Sequence, residues 1–339
     1  MNPLAFLPPS CSLYPLPSRR NARLYITGSS FLQRWKESAF YPAFRDTAKL
    51  YRFYLRVKSM TGTGRLTGDS SHFWPIREFV EECFPKVVSQ AILIGTPGPA
   101  QKLVVQLWDR QHIVGYLKYG EAPQAQEHII REAEVLRALP SGIAPALLKS
   151  GQLGAGQALV LAPIPGRPVK AAFPLHDGIL PLLCSFVSSS PVELRDHPWI
   201  QDIEEHLPNE SWLSSLSHQN WPVVFHHGDF APWNIIERPD KSLAVIDWEY
   251  GTCHGFPLLD LSFYLLQVGR LIYRWPPIKA KNHAITVLFR QQLLRLTYNE
   301  SEALICLCAY QHHRRIRRQG LCPDSDTEAW WGAVWESGK

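Results

Sequence analysis

The chain has 339 residues, of which 45% are hydrophobic and 19% charged, and its net charge is +5. This length predicts two or three compact units, and so mild a charge argues against a nucleic-acid-binding protein. No apolar run approaches the roughly 20 residues that span a bilayer, and the first residues lack the pattern of a secretory signal. Seven scattered cysteines without metal-like spacing are typical of reduced thiols. We therefore expect a soluble, cytoplasmic protein with no membrane or nucleic-acid partner.

The first 85 residues mix aromatic and basic side chains and contain no motif that points to a chemistry. We delimit residues 1–85 as an N-terminal extension. Three roles are open to it: packing on the next part of the chain, carrying a partner site, or contributing to a substrate cleft.

Short apolar runs separated by turn residues begin near residue 90. The runs at 90–95, 102–109 and 113–120 are rich in Val, Ile, Leu and Tyr, which predicts an antiparallel meander. Helical spacing follows at 127–139, and two more strands precede a Pro-rich break at 163–168. This order predicts a small antiparallel-sheet lobe.

The remainder of the chain is mainly helical in its apolar periodicity. The predicted fold class is therefore α+β and bilobal. A small sheet lobe over residues 86–162 carries one key helix, and a larger, mainly helical lobe covers residues 163–339.

Two strand-like runs between residues 222 and 250 interrupt the helical part, and we expect them to form a hairpin. His227 and Asp229 follow the first run, Asn234 comes five residues after Asp229, and Asp247 ends the second run. Phosphoryl transfer from ATP needs a positioned acceptor hydroxyl, a divalent metal on the phosphates and a cation on the triphosphate. Asp229 would accept or orient the hydroxyl proton, and oxygen atoms of Asn234 and Asp247 suit a hard cation such as Mg²⁺. The spacing therefore predicts a phosphoryl-transfer site.

The sequence HGDFAPWN at 227–234, followed by IDWE at 246–249, carries a family resemblance. It resembles the catalytic and metal-binding loops of the aminoglycoside phosphotransferase/choline kinase superfamily, which is related to the protein kinases. In layout, the resemblance covers roughly residues 90–320. It implies a bilobal, protein-kinase-like fold that uses ATP and Mg²⁺ to phosphorylate a hydroxyl group of a small molecule.

The resemblance also implies roles for individual residues. Asp229 is implied as the catalytic base, with His227 beside it among the catalytic residues. Asn234 and Asp247 are implied as Mg²⁺ ligands. Asp260 resembles the Asp that follows the metal strand in this family, and for it we expect a structural role in holding the catalytic loop.

Lys118 lies on the third predicted strand, where the resemblance places the Lys that contacts ATP phosphates. A strand Lys by itself is usually a solvated edge residue. On the next helix, Glu132 would hold Lys118 in an ion pair, as kinase-like chemistry requires. Glu134 is the rival partner. We choose Glu132 because the family helix resembles this one with the first Glu as partner.

Two further segments are predicted to contact the nucleotide. Gly95 and Gly98 stand in the loop between the first two strands, where glycine would let the backbone approach phosphates. Pro97 and Pro99 remove N–H donors from the same loop, so a bare hairpin loop is an equal alternative. Ala162 belongs to a segment that resembles the family's adenine-binding hinge, and an ordinary Pro-rich linker is its alternative.

The acceptor is predicted only as a class. The last ninety residues are net basic, which favours a neutral or anionic hydroxylated metabolite, such as a sugar, over a cationic aminoglycoside. Trp275, Trp330, Trp331 and Trp335 could form a stacking wall, although packing is the more general use of tryptophan. The basic cluster at 312–318 could contact phosphate or an anionic partner, but a solvated helix end is the favoured interpretation.

A second interpretation is a kinase-like, ATP-binding regulatory protein with little turnover. The unusual Pro-bearing loop supports it, whereas the presence of every catalytic and metal residue argues against it. A protein kinase fits less well, because the large lobe has no HRD, DFG or APE motif.

Overall fold

The computed structural model describes residues 12–43, 46–62, 66–67, 75–87, 89–203, 211–291, 293–319 and 325–337. The chain divides into two compact units, residues 1–137 with 145–164, and residues 138–144 with 165–339. The extension and two lobes delimited from the sequence remain predictions as domains. In the described part of the chain, no helix is both long and apolar enough to cross a membrane.

One eight-stranded sheet forms the body of the first unit. Its strands in chain order are β1 (Ser12–Leu16), β2 (Leu24–Ile26), β3 (Leu66–Thr67), β4 (Ser89–Ile94), β5 (Leu103–Trp108), β6 (Ile113–Gly120), β7 (Leu147–Leu153) and β8 (Gly156–Leu161). They lie in the order β3-β1-β2-β4-β5-β6-β8-β7, and every neighbouring pair is antiparallel. The strands predicted near residues 90–120 are confirmed as β4 to β6. The first three strands, from the N-terminal segment, extend the same sheet.

The helices of this unit are α1 (Phe31–Glu37), α2 (Asp46–Thr61), α3 (Pro75–Glu81) and α4 (Pro123–Ala138). The helix predicted at 127–139 is confirmed as α4. On β5, Leu103, Val105 and Leu107 are fully buried in the larger of two apolar clusters that flank the sheet. This alternation explains why the run reads as a strand, since successive inward positions lie two residues apart.

Glu37 is a buried acid at the end of α1. Its carboxylate accepts hydrogen bonds from the backbone N–H groups of Thr27 (3.1 Å) and Gly28 (2.8 Å) and from the Gln33 side chain (3.1 Å). Burial nevertheless raises the pKa of Glu37 from 4.5 to about 7, although these bonds act in the opposite direction. The ionised form of this side chain is therefore costly in the folded protein.

The raised pKa of Glu37 predicts a pH-dependent stability. Because the folded protein holds this proton more tightly than the unfolded chain, stability falls as pH rises from about 4.5 to about 7. The loss amounts to roughly 3 kcal/mol. Urea unfolding at pH 5 and pH 8 should show that the wild type loses this much more stability than Glu37→Gln. Identical pH dependence in the two proteins would contradict the assignment.

The second unit contains two three-stranded antiparallel sheets among helices. Its strands are β9 (Arg167–Pro168), β10 (Val187–Val192), β11 (Trp221–His226), β12 (Ile235–Glu237), β13 (Leu243–Val245) and β14 (Thr252–Gly255). One sheet has the order β10-β11-β14 and the other β13-β12-β9. Its α-helices are α5 (Ile179–Cys184), α6 (Pro198–Ile203), α7 (Leu259–Gln267), α8 (Pro277–Gln291), α9 (Tyr298–Gln319) and α10 (Ser325–Glu336), and a π-turn over Val268–Ile272 continues α7. A sheet unit and a mainly helical unit confirm the α+β fold class.

The structure corrects two expectations in this unit. The strand-like runs between residues 222 and 250 do not pair with each other, because β11 pairs with β10 and β14 while β13 pairs with β12. The apolar pattern of residues 178–189 predicts a helix, but α5 ends at Cys184 and β10 begins at Val187. Pairing with β11 supplies hydrogen bonds that no local pattern in this segment reveals.

Candidate active site

Strand β11 leads into a tight turn at Gly228. Its residues from Trp221 to Phe225 are buried, which anchors the strand in the core. Gly228 has φ +77, and a Cβ atom there would lie 2.6 Å from the carbonyl oxygen of Tyr250. Glycine is therefore required, since another residue would face both strain and a clash. The turn brings the following loop, with Asp229, back beside the strand.

His227 links this loop to the end of β13. Its Nδ1 accepts a hydrogen bond from the backbone N–H of Asp229 (3.2 Å), so the proton lies on Nε2, which donates to the carbonyl of Ile246 (2.9 Å). The ring is fully buried, and burial lowers its pKa below the usual value. Both ring nitrogens of His227 bond to the backbone. His227 would therefore contribute to catalysis only by holding the backbone of Asp229 and Ile246 in position.

The carboxylate of Asp260, in the first turn of α7, holds the same loop from the other side. Oδ2 accepts the backbone N–H of His227 (2.7 Å), and Oδ1 accepts that of Gly228 (3.0 Å). Oδ1 also lies 3.2 Å from Nε2 of His226. Asp260 is nearly fully buried, so these charge-assisted bonds form away from water, where they are strong. The contacts show how the carboxylate holds the loop.

Asn234 is bonded directly to Asp229. Its Nδ2 donates to the Asp229 side chain at Oδ2 (3.0 Å) and to the Asp229 backbone carbonyl (2.9 Å). Asn234 closes the short 3₁₀ turn Pro232–Asn234 and is buried. Because the amide nitrogen faces Asp229, the amide oxygen points away from that carboxylate. This oxygen is the atom that a hard cation would take.

The β12–β13 hairpin brings Asp247 near Asn234. Ile235 on β12 lies opposite Val245 on β13, and the N–H of Ile246 donates to the carbonyl of Asn234 (2.9 Å). Asp247 therefore follows directly on the residue that is paired with Asn234. Its φ of +72 is unusual for a residue with a side chain. The hairpin thus places the two predicted metal ligands at one end.

Asp229 lies in a charged environment. Burial raises its pKa to about 7, the positive charge of Arg315 acts against this rise, and the nearby Asp247 carboxylate adds to it. The influence of Asp247 shows that the two carboxylates lie close enough to interact. Positive charge near them therefore favours the ionised form of Asp229.

Arg315 on α9 is a site residue that was not singled out from the sequence. Its Nη1 donates to the carbonyl of Gly228 (2.6 Å), Nη2 contacts Nδ1 of His312 (2.7 Å), and the guanidinium lies 4.2 Å from the centre of the Tyr250 ring. The expectation of a solvated cluster at 312–318 is wrong for this residue, whereas Arg317 and Arg318 are exposed. Spacing offered a signal, because Arg315 lies two turns after the buried Cys308 and so shares its face of α9.

In the first unit, Lys118 on β6 and Glu132 on α4 form a buried ion pair. Nζ of Lys118 lies 2.6 Å from Oε1 and 2.7 Å from Oε2 of Glu132. Lys118 is 8% exposed and Glu132 1% exposed, whereas the rival Glu134 is exposed. The structure therefore pairs Lys118 with the predicted partner and makes the solvated-edge alternative for this Lys wrong.

In the predicted phosphate loop and hinge, some backbone N–H groups donate hydrogen bonds to other backbone groups of the protein. The N–H of Gly95 donates to the carbonyl of Lys102 (2.8 Å), and that of Gln101 donates to Gly98 (3.0 Å). The N–H of Ala162 donates to the carbonyl of Ala146 (2.9 Å). Nucleotide contacts by Gly95, Gly98 and Ala162 remain predictions. A contact by Ala162 would use its carbonyl.

Among the described residues, no group of three or more His, Cys, Asp or Glu side chains is arranged to hold a metal ion. A site built on Asn234 and Asp247 would have only two protein ligands. Mg²⁺ commonly takes one or two carboxylates and completes its octahedral shell with water and substrate phosphates. This pair therefore fits Mg²⁺ better than a cation that needs a full protein cage.

Residues 188–283 match the sequence model of the family described as the phosphotransferase enzyme family, or APH. The matched segment contains Asp229, Asn234, Asp247 and Asp260. The match confirms the resemblance to the aminoglycoside phosphotransferase/choline kinase superfamily. No curated protein matches the chain in sequence at a significant level.

Similar solved structures include three kinases or phosphotransferases. Choline kinase LicA from Streptococcus pneumoniae is 16% identical with a TM-score of 0.45, over 78% of this chain and 95% of LicA. An aminoglycoside-3′-phosphotransferase of type VIII is 15% identical with a TM-score of 0.42, over 70% of this chain and 99% of that protein. The bifunctional kinase-methyltransferase WbdD is 16% identical with a TM-score of 0.33, over 69% of this chain but only 47% of WbdD.

The Lys118–Glu132 pair predicts a stability effect. Glu132→Ala breaks a buried ion pair by removing the carboxylate that lies 2.6 Å from Lys118, so the free energy of unfolding should fall by about 3 to 5 kcal/mol. Glu134→Ala is the matched control on the same helix and should change stability by less than about 0.5 kcal/mol. Thermal or urea unfolding of the nucleotide-free proteins measures both. Equal stability of the two variants would refute the pairing.

The contact between Arg315 and Gly228 predicts a local effect on the catalytic loop. Arg315→Ala removes a charge-assisted hydrogen bond, so backbone amides around Asp229 should exchange with solvent about 10- to 100-fold faster. Arg318→Ala, an exposed change one turn further along α9, should leave them unchanged. Hydrogen–deuterium exchange with mass spectrometry compares the loop peptides. Unaltered exchange in Arg315→Ala would show that the loop does not depend on this contact.

Proposed function

We propose that this protein transfers the γ-phosphoryl group of ATP to a hydroxyl group of a small molecule, with Mg²⁺ as cofactor. The observation that carries the proposal is the bond from Asn234 to Asp229, at the end of the hairpin that also presents Asp247. A candidate base and two candidate metal ligands thus lie together within one unit. Phosphoryl transfer depends mostly on positioning and electrostatics, which such an arrangement provides.

In the proposed reaction, the oxygen of the acceptor hydroxyl attacks the γ-phosphorus and Asp229 accepts the hydroxyl proton. The bond from the γ-phosphorus to the bridging oxygen breaks, and ADP leaves. Asn234 orients the Asp229 carboxylate through Oδ2, which leaves Oδ1 for the hydroxyl. Asp260 and His227 restrain the loop so that the carboxylate does not have to be ordered during the reaction. General bases held in this way typically contribute 10² to 10⁴ in rate.

Asn234, through its amide oxygen, and Asp247 would hold Mg²⁺. When bound, this ion neutralises charge on the phosphates of ATP and on the transferred phosphoryl group. Lys118 would add a second positive charge on the phosphates, with Glu132 fixing its position. Since the amides of Gly95 and Gln101 already bond within the β4–β5 hairpin, phosphate binding would rest more on Lys118 than on the loop with Gly95 and Gly98.

The favoured acceptor is a neutral or anionic hydroxylated metabolite. Arg315 provides a fixed positive charge close enough to Asp229 to affect its pKa, which disfavours a cationic acceptor at this position. Of the four tryptophans considered as a stacking wall, Trp331 is fully buried against Phe263, whereas Trp275 stacks on Phe173 and the exposed Tyr273. Trp275 and its neighbours are therefore better placed than Trp331 to contact a sugar ring.

The regulatory alternative keeps one supporting observation. Pro97 and Pro99 lack N–H donors, and the neighbouring amides of Gly95 and Gln101 bond within the loop. A loop with so few donors for phosphate suits binding of a nucleotide without efficient transfer. Calorimetry that shows Mg²⁺-dependent ATP binding, without turnover of any acceptor tested, would favour this alternative.

The test is Mg²⁺-dependent ATP turnover with separate panels of sugars, amino alcohols and aminoglycosides. Asp229→Asn keeps the size of the side chain and an acceptor for the Asn234 bond but removes the base, so kcat should fall by about 10² to 10⁴. Asp240→Asn, an exposed change in the β12–β13 turn, is the control and should retain activity. Full acceptor-dependent turnover by Asp229→Asn would refute the base assignment. Turnover confined to aminoglycosides would refute the acceptor class.

A further inference from the structure

Helix α2 packs on the first unit through a defined inner face. Leu55 is fully buried in an apolar cluster with Leu16, Leu24 and other strand residues. Ser59 is buried as well, its hydroxyl lies 3.2 Å from that of Ser38, and its carbonyl accepts a bond from Arg34 on α1 (2.9 Å). These contacts fix which side of α2 faces solvent.

The solvent side of α2 is apolar. Five large side chains occupy it at the helical spacing i, i+3, i+4, i+7 and i+10, which confines them to an arc of about 120°. They are Leu50, Phe53, Tyr54, Val57 and Met60. Their exposed fractions run from 42% for Met60 to 72% for Leu50. An amphipathic helix normally buries such a stripe, so this one requires a partner or a reason to remain in water.

The apolar surface continues onto α1. Phe31 and Leu32, in its first turn, are 52% and 60% exposed. The Trp35 ring on the next turn lies 6.2 Å from that of Phe53 on α2. We call the surface formed by the five α2 residues together with Phe31 and Leu32 the α1–α2 face. It is an exposed apolar surface formed by side chains of two neighbouring helices.

Cationic side chains flank the α1–α2 face. Arg56 lies over the Trp35 ring at 4.0 Å, and Lys58 lies over the Tyr54 ring at 5.7 Å. Lys49 is exposed beside Asp46, on the same flank as Arg56, whereas Lys58 lies on the opposite flank. Long cationic side chains beside exposed aromatic rings are typical of helices that lie at a membrane interface, where apolar atoms enter the bilayer and charges meet the headgroups.

The surrounding segment is strongly basic. Residues 12–62 contain ten Lys and Arg against two acidic residues, whereas the whole chain carries only +5. The rest of the chain is therefore net acidic. One of the two acids, Glu37, is fully buried, so its side chain does not reduce the positive charge that this segment presents to solvent. Such a local excess attracts an anionic surface.

We propose that the α1–α2 face docks on an anionic lipid surface. A second copy of the chain would set Lys49, Arg56 and Lys58 against the same cations, which is unfavourable. A protein partner would have to supply both an apolar surface and acidic groups of matching shape, whereas an anionic bilayer supplies both and its headgroup region deforms around apolar side chains. The expectation of no membrane partner came from the lack of a spanning run, and surface docking needs none.

The test uses the full chain and flotation with vesicles of phosphatidylcholine alone or mixed with phosphatidylserine. Binding should require phosphatidylserine and weaken as the salt concentration rises, because salt screens the cationic flanks. Leu50→Ser with Val57→Ser should lower the partition coefficient by at least about tenfold. Lys49→Gln with Lys58→Gln should lower it by roughly 25-fold.

Matched controls lie on the second unit. Ile278→Ser with Phe289→Ser changes two residues of α8 that are as exposed as Val57, and this double variant should bind like the wild type. Since every substituted side chain is at least partly exposed, thermal midpoints by circular dichroism should not change, which separates lost binding from misfolding.

Three outcomes would overturn the proposal. The first is failure to bind either vesicle, or equal binding to both. The second is unchanged binding of Leu50→Ser with Val57→Ser. The third is evidence for a protein partner. Such evidence would be a wild-type dimer by light scattering that Leu50→Ser with Val57→Ser converts to monomer, or binding of an acidic amphipathic peptide without binding of vesicles.

Discussion

The carboxylate of Asp260 is the constraint on which the candidate site depends. It sits buried in the first turn of α7 and accepts the backbone N–H groups of His227 and Gly228. A buried carboxylate needs several donors to offset its lost hydration, and a tight turn needs acceptors for its unpaired amides. Each group therefore meets the needs of the other. The turn at Gly228, whose carbonyl Arg315 also contacts, sets the position of Asp229, and Asn234 restrains the Asp229 carboxylate directly.

The two halves of the proposed chemistry use different physical means. In the second unit, backbone geometry positions the polar groups, because the register of the β12–β13 hairpin places Asn234 opposite Ile246, the residue before Asp247. In the first unit, Lys118 is oriented by a buried counter-charge, Glu132. A buried ion pair contributes little net stability but holds its members in place. Such a pair keeps an ammonium group charged at a fixed position.

The N-terminal segment has an inner surface that belongs to the core and an outer surface that does not. Its strands add to the sheet that contains β4 to β6, so its inner surface is ordinary core. Its outer surface places apolar side chains in solvent and basic side chains around them. Packing in this unit explains the inner face of α2 but not the outer one. The outer face is therefore better understood as a contact surface than as part of the fold.

The sequence alone determined the candidate positions for the proposed chemistry, because HGDFAPWN and IDWE are local motifs whose residue types and spacing limit what they can do. Short-range patterns also determined the strands β4 to β6 and the helix α4, whereas the choice of Glu132 over Glu134 came from the family resemblance. The tertiary structure decided what depends on distant segments. The pairing of β13 with β12, the strand β10 and the approach of Arg315 to Gly228 across 87 positions all rest on such contacts. The periodicity of apolar residues predicts that a side chain faces the interior, but only the packed structure shows which group that side chain contacts.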